Sequence, residues 1–242
     1  MNLLQKTTKN TTNTNMKLKY DLHIHSALSP CADDNMTPSN IVGFAKLQGL
    51  DAIAIADHNA IANVNVAMEV GHAFDVVVVP AIELQTSEDV HVLCLFENYE
   101  NLQSFYNCID FANIQNKAEI FGEQLILDED DNILGKEQRM LLVASGVSAE
   151  NVVALAKQHN GIAIAAHIDR EENGIVAILG TVTKDFSVVE ISATATEKIH
   201  PYTIGRKVIA NSDAHTLADI GIASGELEVT ERSAKGILQA LR

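Results

Sequence analysis

Eight side chains able to ligate a metal recur along this chain in short, similar settings. "DLHIHS" supplies His23 and His25, "ADHN" supplies His58 beside Asp57, and "AIEL" supplies Glu83. "VHVL" adds His91, "AAHID" adds His167, and "NSDAH" adds Asp213 and His215. Imidazole and carboxylate donors suit Zn, Fe and Mn. One tetrahedral ion cannot use eight donors, so two or three divalent transition-metal ions are implied. A carboxylate can bridge two cations, which makes Glu83 and Asp213 the candidates for shared ligands. Of the nine histidines, the remaining three (His72, His159, His200) fall in expected helices or loops and are set aside.

Cys31 follows His23 and His25 on the same loop, with Asp33 and Asp34 close behind. A thiolate there would favour zinc or iron over magnesium. The plainer alternative is a small buried apolar cysteine. Each of the other motifs also has a plain reading when taken alone. One histidine of a His-x-His pair can face solvent, Glu83 can be an exposed strand end, and Ser212 with Asp213 can cap a helix. All of them at successive strand ends is a joint pattern that the plain readings do not explain.

The elements that must position these groups follow from patterning. "KLKYDLHI" reads as a strand, and "TPSNIVGFAKLQG" as a helix with Thr37 as N-cap, Pro38 in the first turn and Gly49 as the stop. "DAIAIAD" is apolar enough to be a strand buried on both faces. A helix is expected around residues 60–73, then "DVVVVPAIEL" as a third strand and "VHVLCLF" as a fourth. The link "QTSED" is too short for a crossover helix, so these two strands pair antiparallel and bring Glu83 near His91. A helix is expected near 100–116, and "LDEDDNILGKEQRM" reads as an acidic surface excursion. The rhythm returns with "SAENVVALAKQHNG" as helix, "IAIAAH", "FSVVEIS" and "RKVIANSDAH" as strands, and "ERSAKGILQALR" as a closing helix. Repeated βα units favour a parallel sheet or barrel, with functional groups at the carboxyl ends of the strands.

Composition narrows the function classes. Hydrophobic residues at 47% and charged residues at 20% are ordinary for a soluble globular protein, so a packed core is expected from residue 16 to 242. Residues 1–15, Thr- and Asn-rich with no apolar run, read as a flexible tail and not a signal peptide. A formal charge of −15 and the absence of tryptophan argue against a nucleic-acid partner. No stretch is long and apolar enough to span a membrane. Three irregularly spaced cysteines indicate no disulfide framework, which makes the cytoplasm the expected compartment.

The ordered set "DLHIHS…ADHN…AIEL…HVL…AAH…NSDAH" closely resembles the PHP superfamily, named for its polymerase and histidinol phosphatase members. The resemblance covers the chain from about residue 17 onward. It implies an α/β fold, a distorted (β/α)7 TIM-like barrel with two or three metals at the carboxyl ends of the strands. By the same resemblance one ion sits among His23, His25, Glu83 and Asp213, and a second among Glu83, His91 and His167. A third uses His58, His215 and a residue of the first loop, where this chain offers Cys31 in place of the family's usual His or Asp. The family's "AHP" is here "AHI".

The expected activity is hydrolysis of a small phosphorylated metabolite, a phosphomonoester, by a hydroxide that the ions make available near neutral pH. Asp213 and His215 belong to the catalytic set. Arg170, three residues after His167, is a candidate for bidentate phosphate binding, against an ion pair with Glu171 or Glu172. Two rivals are an exonuclease or phosphodiesterase with the same metal site, and a non-catalytic metal-binding regulatory module.

Overall fold

The computed structural model describes residues 15–242. Of the tail expected over residues 1–15, all but Asn15 therefore lies outside the described residues.

Strand β1 (Met16–Ile24) leads into helix α1 (Pro38–Leu47), strand β2 (Ala52–Ile55) and helix α2 (Val64–Phe74). The hairpin of β3 (Val77–Gln85) and β4 (His91–Leu95) follows, then α3 (Tyr99–Tyr106), α4 (Ala118–Phe121), β5 (Leu125–Leu127) and β6 (Ile133–Lys136). The rest comprises α5 (Ala149–Gln158), β7 (Ile162–Ala165), α6 (Ile175–Leu179), β8 (Val188–Ile191), α7 (His200–Thr203), β9 (Lys207–Ala210), β10 (Gly225–Val229) and α8 (Ala234–Leu241).

The main sheet runs β10-β1-β2-β3-β4-β7-β8-β9. Neighbours are parallel except β4, antiparallel to both β3 and β7, and β10, antiparallel to β1. The two ends of this order approach each other at β1. Its carboxyl end bridges Ala214, just beyond β9, through the parallel pair Ile24–Ala214, with His25 N donating to Ala214 O at 2.9 Å. Its amino half is covered by β10, from Met16–Val229 to Tyr20–Gly225. The sheet is thus a nearly closed, distorted TIM-like barrel.

Alternation along the strands divides the core in two. Inside the barrel, Leu18, Leu22, Ala54, Val79, Leu93 and Ile164 pack with Ile237 and Leu238 of α8. The small alanines of β2 suit the crowded interior, while Ile53 and Ile55 point outward to meet Val42 of α1 and Ala67 of α2. Helix α1 begins as its sequence dictates: Thr37 Oγ1 accepts from Asn40 N, Pro38 opens the first turn, and Gly49 (φ 71°) turns the chain out of it.

Three expectations need correction. The helix expected near 100–116 ends at Tyr106, because the following backbone pairs elsewhere, in bridges Phe111–Ser145 and Gln115–Arg139. The acidic excursion contains the hairpin β5–β6, which carries Asp128 to Asp131 at its turn. Strand β10, "GELEV", was not expected; Glu226 and Glu228 are exposed on this edge strand, which disguises it as a polar loop.

A buried carboxylate clamps the closure. Asp21 Oδ1 accepts from Ser212 N at 3.1 Å, and Oδ2 accepts from Ser212 Oγ and from Gly221 N at 2.9 Å. Burial pushes its pKa up to about 6, against the pull of those hydrogen bonds. The stability that Asp21 contributes is therefore complete below its unfolded pKa of about 4 and lost as pH rises through about 6. We expect Asp21→Asn to be less stable than wild type at acidic pH, with the gap narrowing by on the order of 3 kcal/mol between pH 4 and 7. Urea midpoints measured across that range check it, and a constant gap would contradict the raised pKa.

Candidate metal centre

Strand geometry gathers the eight groups. His23 and His25, two residues apart at the carboxyl end of β1, share a side of the strand. His58 follows β2 and forms a parallel bridge with Glu83 of β3. Gln85 pairs with His91 in the hairpin, which swings the His91 ring back toward Glu83, as the short link required. His167 follows β7, while Asp213 and His215 follow β9. Asp213 (φ 51°) and His167 (φ 26°) sit in left-handed backbone, costing about 1–3 kcal/mol each.

Glu83 is at the centre. Its Oε1 lies 3.0 Å from His91 Nδ1, 3.0 Å from His167 Nε2 and 3.3 Å from His23 Nε2. Its Oε2 lies 2.8 Å from His58 Nδ1 and 3.5 Å from His25 Nε2. Asp213 Oδ1 lies 2.9 Å from His25 Nε2 and 3.4 Å from His23 Nε2. Three sets of donor atoms fall within 4.8 Å of one another: His23, His25 and Asp213; His58, Glu83 and His91; and His25, His58 and His215. His58 is therefore shared between two sets, where a place in the third alone was expected. His167 reaches the cluster through Glu83.

Hydrogen bonds from behind fix which nitrogens face inward. His23 Nδ1 donates to Glu190, 3.0 Å from Oε1, so Nε2 faces Glu83 and Asp213. Ser29 Oγ spends its proton on Asp57 Oδ1 at 2.7 Å, so it accepts from His25 Nδ1 at 3.0 Å and leaves Nε2 bare. His215 Nδ1 donates to Asp213 O at 2.8 Å. Asp57 itself is a scaffold, accepting from Ser26 N, Ser26 Oγ and Ser29 Oγ, and so shaping the first loop.

The electrostatics match this arrangement. Burial opposes ionisation of Glu83, yet His91, His23 and His58 hold its carboxyl well below the usual range. Asp213 is held well below too, by His23 and His25 against the same penalty. Burial, then the neighbouring His215 and His58, keeps His25 neutral. Burial also disfavours charge on His23 and His58, but their carboxylate neighbours prevail and raise both, His58 to about 10.

Four buried side-chain atoms have no hydrogen-bond partner here: His23 Nε2, His58 Nδ1, Glu83 Oε2 and His167 Nδ1. His58 Nδ1 and Glu83 Oε2 lie 2.8 Å apart without hydrogen-bond geometry. Unpaired buried polar atoms are costly, and a shared cation in place of the ring protons satisfies several at once. The donor set, nitrogen and oxygen in several overlapping groups, fits more than one divalent ion.

Cys31 is exposed, which excludes the buried apolar reading. It lines the cavity above the cluster, where the partial desolvation of its thiol is outweighed by hydrogen bonds with His215 and His58 that draw it down to about 7. Asp33 and Asp34 are exposed and belong to none of the three sets. Arg170 pairs with Asp213 Oδ2, and not with Glu171 or Glu172. The cavity, about 370 Å³, is bordered by Cys31, His91, Leu142, Arg170 and His215 among others. Leu142 comes from the segment following β6, tied down by Asn59 Nδ2 donating to Leu141 O and Val143 O.

Sequence reasoning missed Glu190. It is 1% exposed and accepts from His23 Nδ1, from His167 N at 3.1 Å and from Asn211 Nδ2 at 2.7 Å, joining three strand ends. Its signal was present: a carboxylate inside the apolar strand "VVEIS" has to be paired.

The family model for the PHP domain matches residues 21–194. The chain belongs to the PHP domain family. A PHP-associated model matches residues 203–242, so the family likeness includes β9, β10 and α8. Over 83 residues this PHP domain is 30% identical to a 5′-3′ exoribonuclease of Haemophilus influenzae, covering 33% of this chain and 29% of that protein. Its fold superposes on a lesion-specific endonuclease, endonuclease Q of Pyrococcus furiosus, with a TM-score of 0.66 at 18% identity, covering 93% of this chain and 56% of that one. A two-domain protein of Bacteroides vulgatus containing a PHP-like metal-dependent phosphoesterase gives 0.57 at 16% identity, covering 94% and 63%. The chain spans less than two thirds of each of these proteins.

We expect Glu190→Gln to stay folded and to bind metal about 10–100-fold more weakly, because His23 loses the charge behind its ring. Chelator competition paired with circular dichroism reads both, and unaltered affinity would reduce Glu190 to a packing role.

Proposed function

We propose that this PHP domain is a metal-dependent phosphoesterase acting on a small phosphomonoester. The observation that carries the reading is Glu83, buried among five imidazoles with unpartnered donor atoms, beneath an open cavity. Two or three divalent ions, Zn, Fe or Mn, would be held by His23, His25, His58, Glu83, His91, His167, Asp213 and His215, with Cys31 beside the third. Bound there, they would supply charge against the phosphoryl oxygens and lower the pKa of water.

The chain's own groups account for the rest. Arg170, the one Lys or Arg lining the cavity among the described residues, offers a guanidinium to the phosphoryl oxygens while paired with Asp213. Asp213 holds the Arg170 guanidinium at Oδ2, while its Oδ1 faces His25 Nε2. His215 borders the cavity with Nδ1 committed to Asp213 O, which leaves Nε2 to hold an ion of the third set, whose charge would assist departure of the leaving oxygen. A volume near 370 Å³ suits a small substrate. Among the described residues no helix is long and apolar enough to cross a membrane, and all three cysteines are unpaired, as a reducing cytoplasm would keep them.

A second reading, a nuclease, draws on the exoribonuclease relative and on endonuclease Q, also solved with a 27-mer duplex carrying an abasic lesion. These relatives weigh against setting nucleic acid aside. The formal charge of −15 and a cavity lined, among the described residues, by no Phe, Tyr or Trp weigh the other way.

Phenyl phosphate assayed beside labelled single-stranded DNA, with added Mn²⁺, separates the readings. His25→Ala and Asp213→Ala should each lower kcat by ~100-fold or more, the scale of lost transition-state charge stabilisation. Near wild-type rates in both would end the metal-hydrolase reading.

Cys31→Ala is expected to lower metal content by one ion per chain and to spare the ion at His23 and His25. Elemental analysis of the purified variant decides it; full content would assign the third position to other donors.

A further inference from the structure

Beside the cavity over the histidines lies a second one of about 330 Å³, walled by Asp169, Arg170, Glu171, Glu172, Thr194 and Thr196. Arg170 and Glu172 line both, so the two spaces adjoin. The outer wall is braced from within. Asp169 Oδ1 accepts from Ser192 N at 2.8 Å, Oδ2 accepts from Ser192 Oγ, and Ser192 Oγ lies 2.9 Å from Thr194 Oγ1. Asp169 is thereby used up. The Arg170 guanidinium is turned inward, on Asp213. Left to face the outer space are the carboxylates of Glu171 and Glu172, both exposed and without an ion-pair partner among the described residues, and the two threonine hydroxyls.

We propose that this outer cavity is the leaving-group subsite of the phosphomonoesterase, selecting an alcohol that carries further hydrogen-bond donors and rejecting one that carries a second phosphate. The inference rests on the phosphomonoesterase reading above. A phosphoryl group held at Arg170 in the inner cavity has its ester substituent leave past Arg170, and the outer cavity is the space it enters. Carboxylates accept and never donate, so Glu171 and Glu172 match hydroxyl or ammonium groups. The threonine hydroxyls can complete either. A second phosphate would meet two like charges with one guanidinium, already paired, to offset them. A nucleobase would find no aromatic face among these residues. The acidic balance of the chain, with 32 acidic against 17 basic residues, is here expressed as specificity.

The test uses the Mn²⁺-loaded protein and leaving alcohols of similar size: propyl phosphate, glycerol 3-phosphate, 3-aminopropyl phosphate and propane-1,3-diol bisphosphate. Phenyl phosphate reports the chemistry, and a 5′-phosphorylated oligothymidylate serves as the nucleic-acid arm. Glycerol 3-phosphate or 3-aminopropyl phosphate should exceed propyl phosphate in kcat/KM by about 10-fold or more, the scale of one charge-assisted hydrogen bond. The bisphosphate and the oligonucleotide should fall below propyl phosphate. Glu171→Gln combined with Glu172→Gln should raise KM for the favoured substrates and improve the bisphosphate. Because an amide oxygen still accepts a hydrogen bond, a preference for hydroxyl would partly survive that change, whereas a preference for ammonium would not. A flat series, a preference for the bisphosphate or the oligonucleotide, or ratios unmoved in the double variant would overturn the subsite while turnover of phenyl phosphate leaves the phosphoesterase reading standing. If none of the compounds is hydrolysed, both readings fall.

Discussion

A carboxylate that is wholly buried, with five imidazoles within 3.5 Å, is the constraint around which this structure is built. Glu83 is stable as an anion there only because positive or proton-sharing groups surround it on every side; the same carboxylate in an apolar core would take up a proton. The surrounding rings come from different strands and loops, so the charge can be satisfied only if the barrel brings those strand ends together. Site and fold are in this sense a single problem. A loss of register in β3 by one residue would turn Glu83 to the opposite face and leave the histidines without their anion.

The outer support follows the same logic. Glu190 behind His23, Ser29 behind His25 and the Asp213 carbonyl behind His215 each fix a ring orientation, and Glu190 does so from β8, which carries none of the eight clustered groups. Asp21 does equivalent work one layer lower, joining β1 to Ser212 and Gly221, where the sheet nearly closes. Buried acidic residues thus hold the same seam at two depths, one orienting histidines and one fastening backbone. This accounts for part of the chain's negative charge, which is spent inside and not spread over the surface.

The cavity above the cluster is small and asymmetric. One side is set by the first loop and Cys31, the other by Arg170 and the chain that follows β7, and Leu142 enters from the segment after β6. That segment contributes little to the barrel, and its hairpin turns a charged tip to solvent. Its anchoring through Asn59 and Arg139, the latter donating to Asn59 O and stacking over Phe111, places one apolar side chain at the mouth. Variation in such a segment can alter what enters without disturbing the donors below.

The sequence by itself determined the donors, their strand-end positions and the antiparallel hairpin that returns His91 to Glu83. These follow from local rules: apolar runs set strands, the length of a link sets the direction of the next strand, and the residue types define the chemistry. It also determined that α1 would begin at Thr37 and Pro38. Only the tertiary structure decided the rest, because it depends on contacts between distant residues. That His58 is shared between two donor sets, that Arg170 turns to Asp213 and not to its neighbouring glutamates, and that Glu190 stands behind His23 are all matters of which strands lie side by side. The helix expected near 100–116 stops at Tyr106 for the same reason, since residues beyond it find partners some thirty positions away. Strand β10 was hidden because an edge strand has one wet side, and its glutamates look like loop until β1 is there to pair with it.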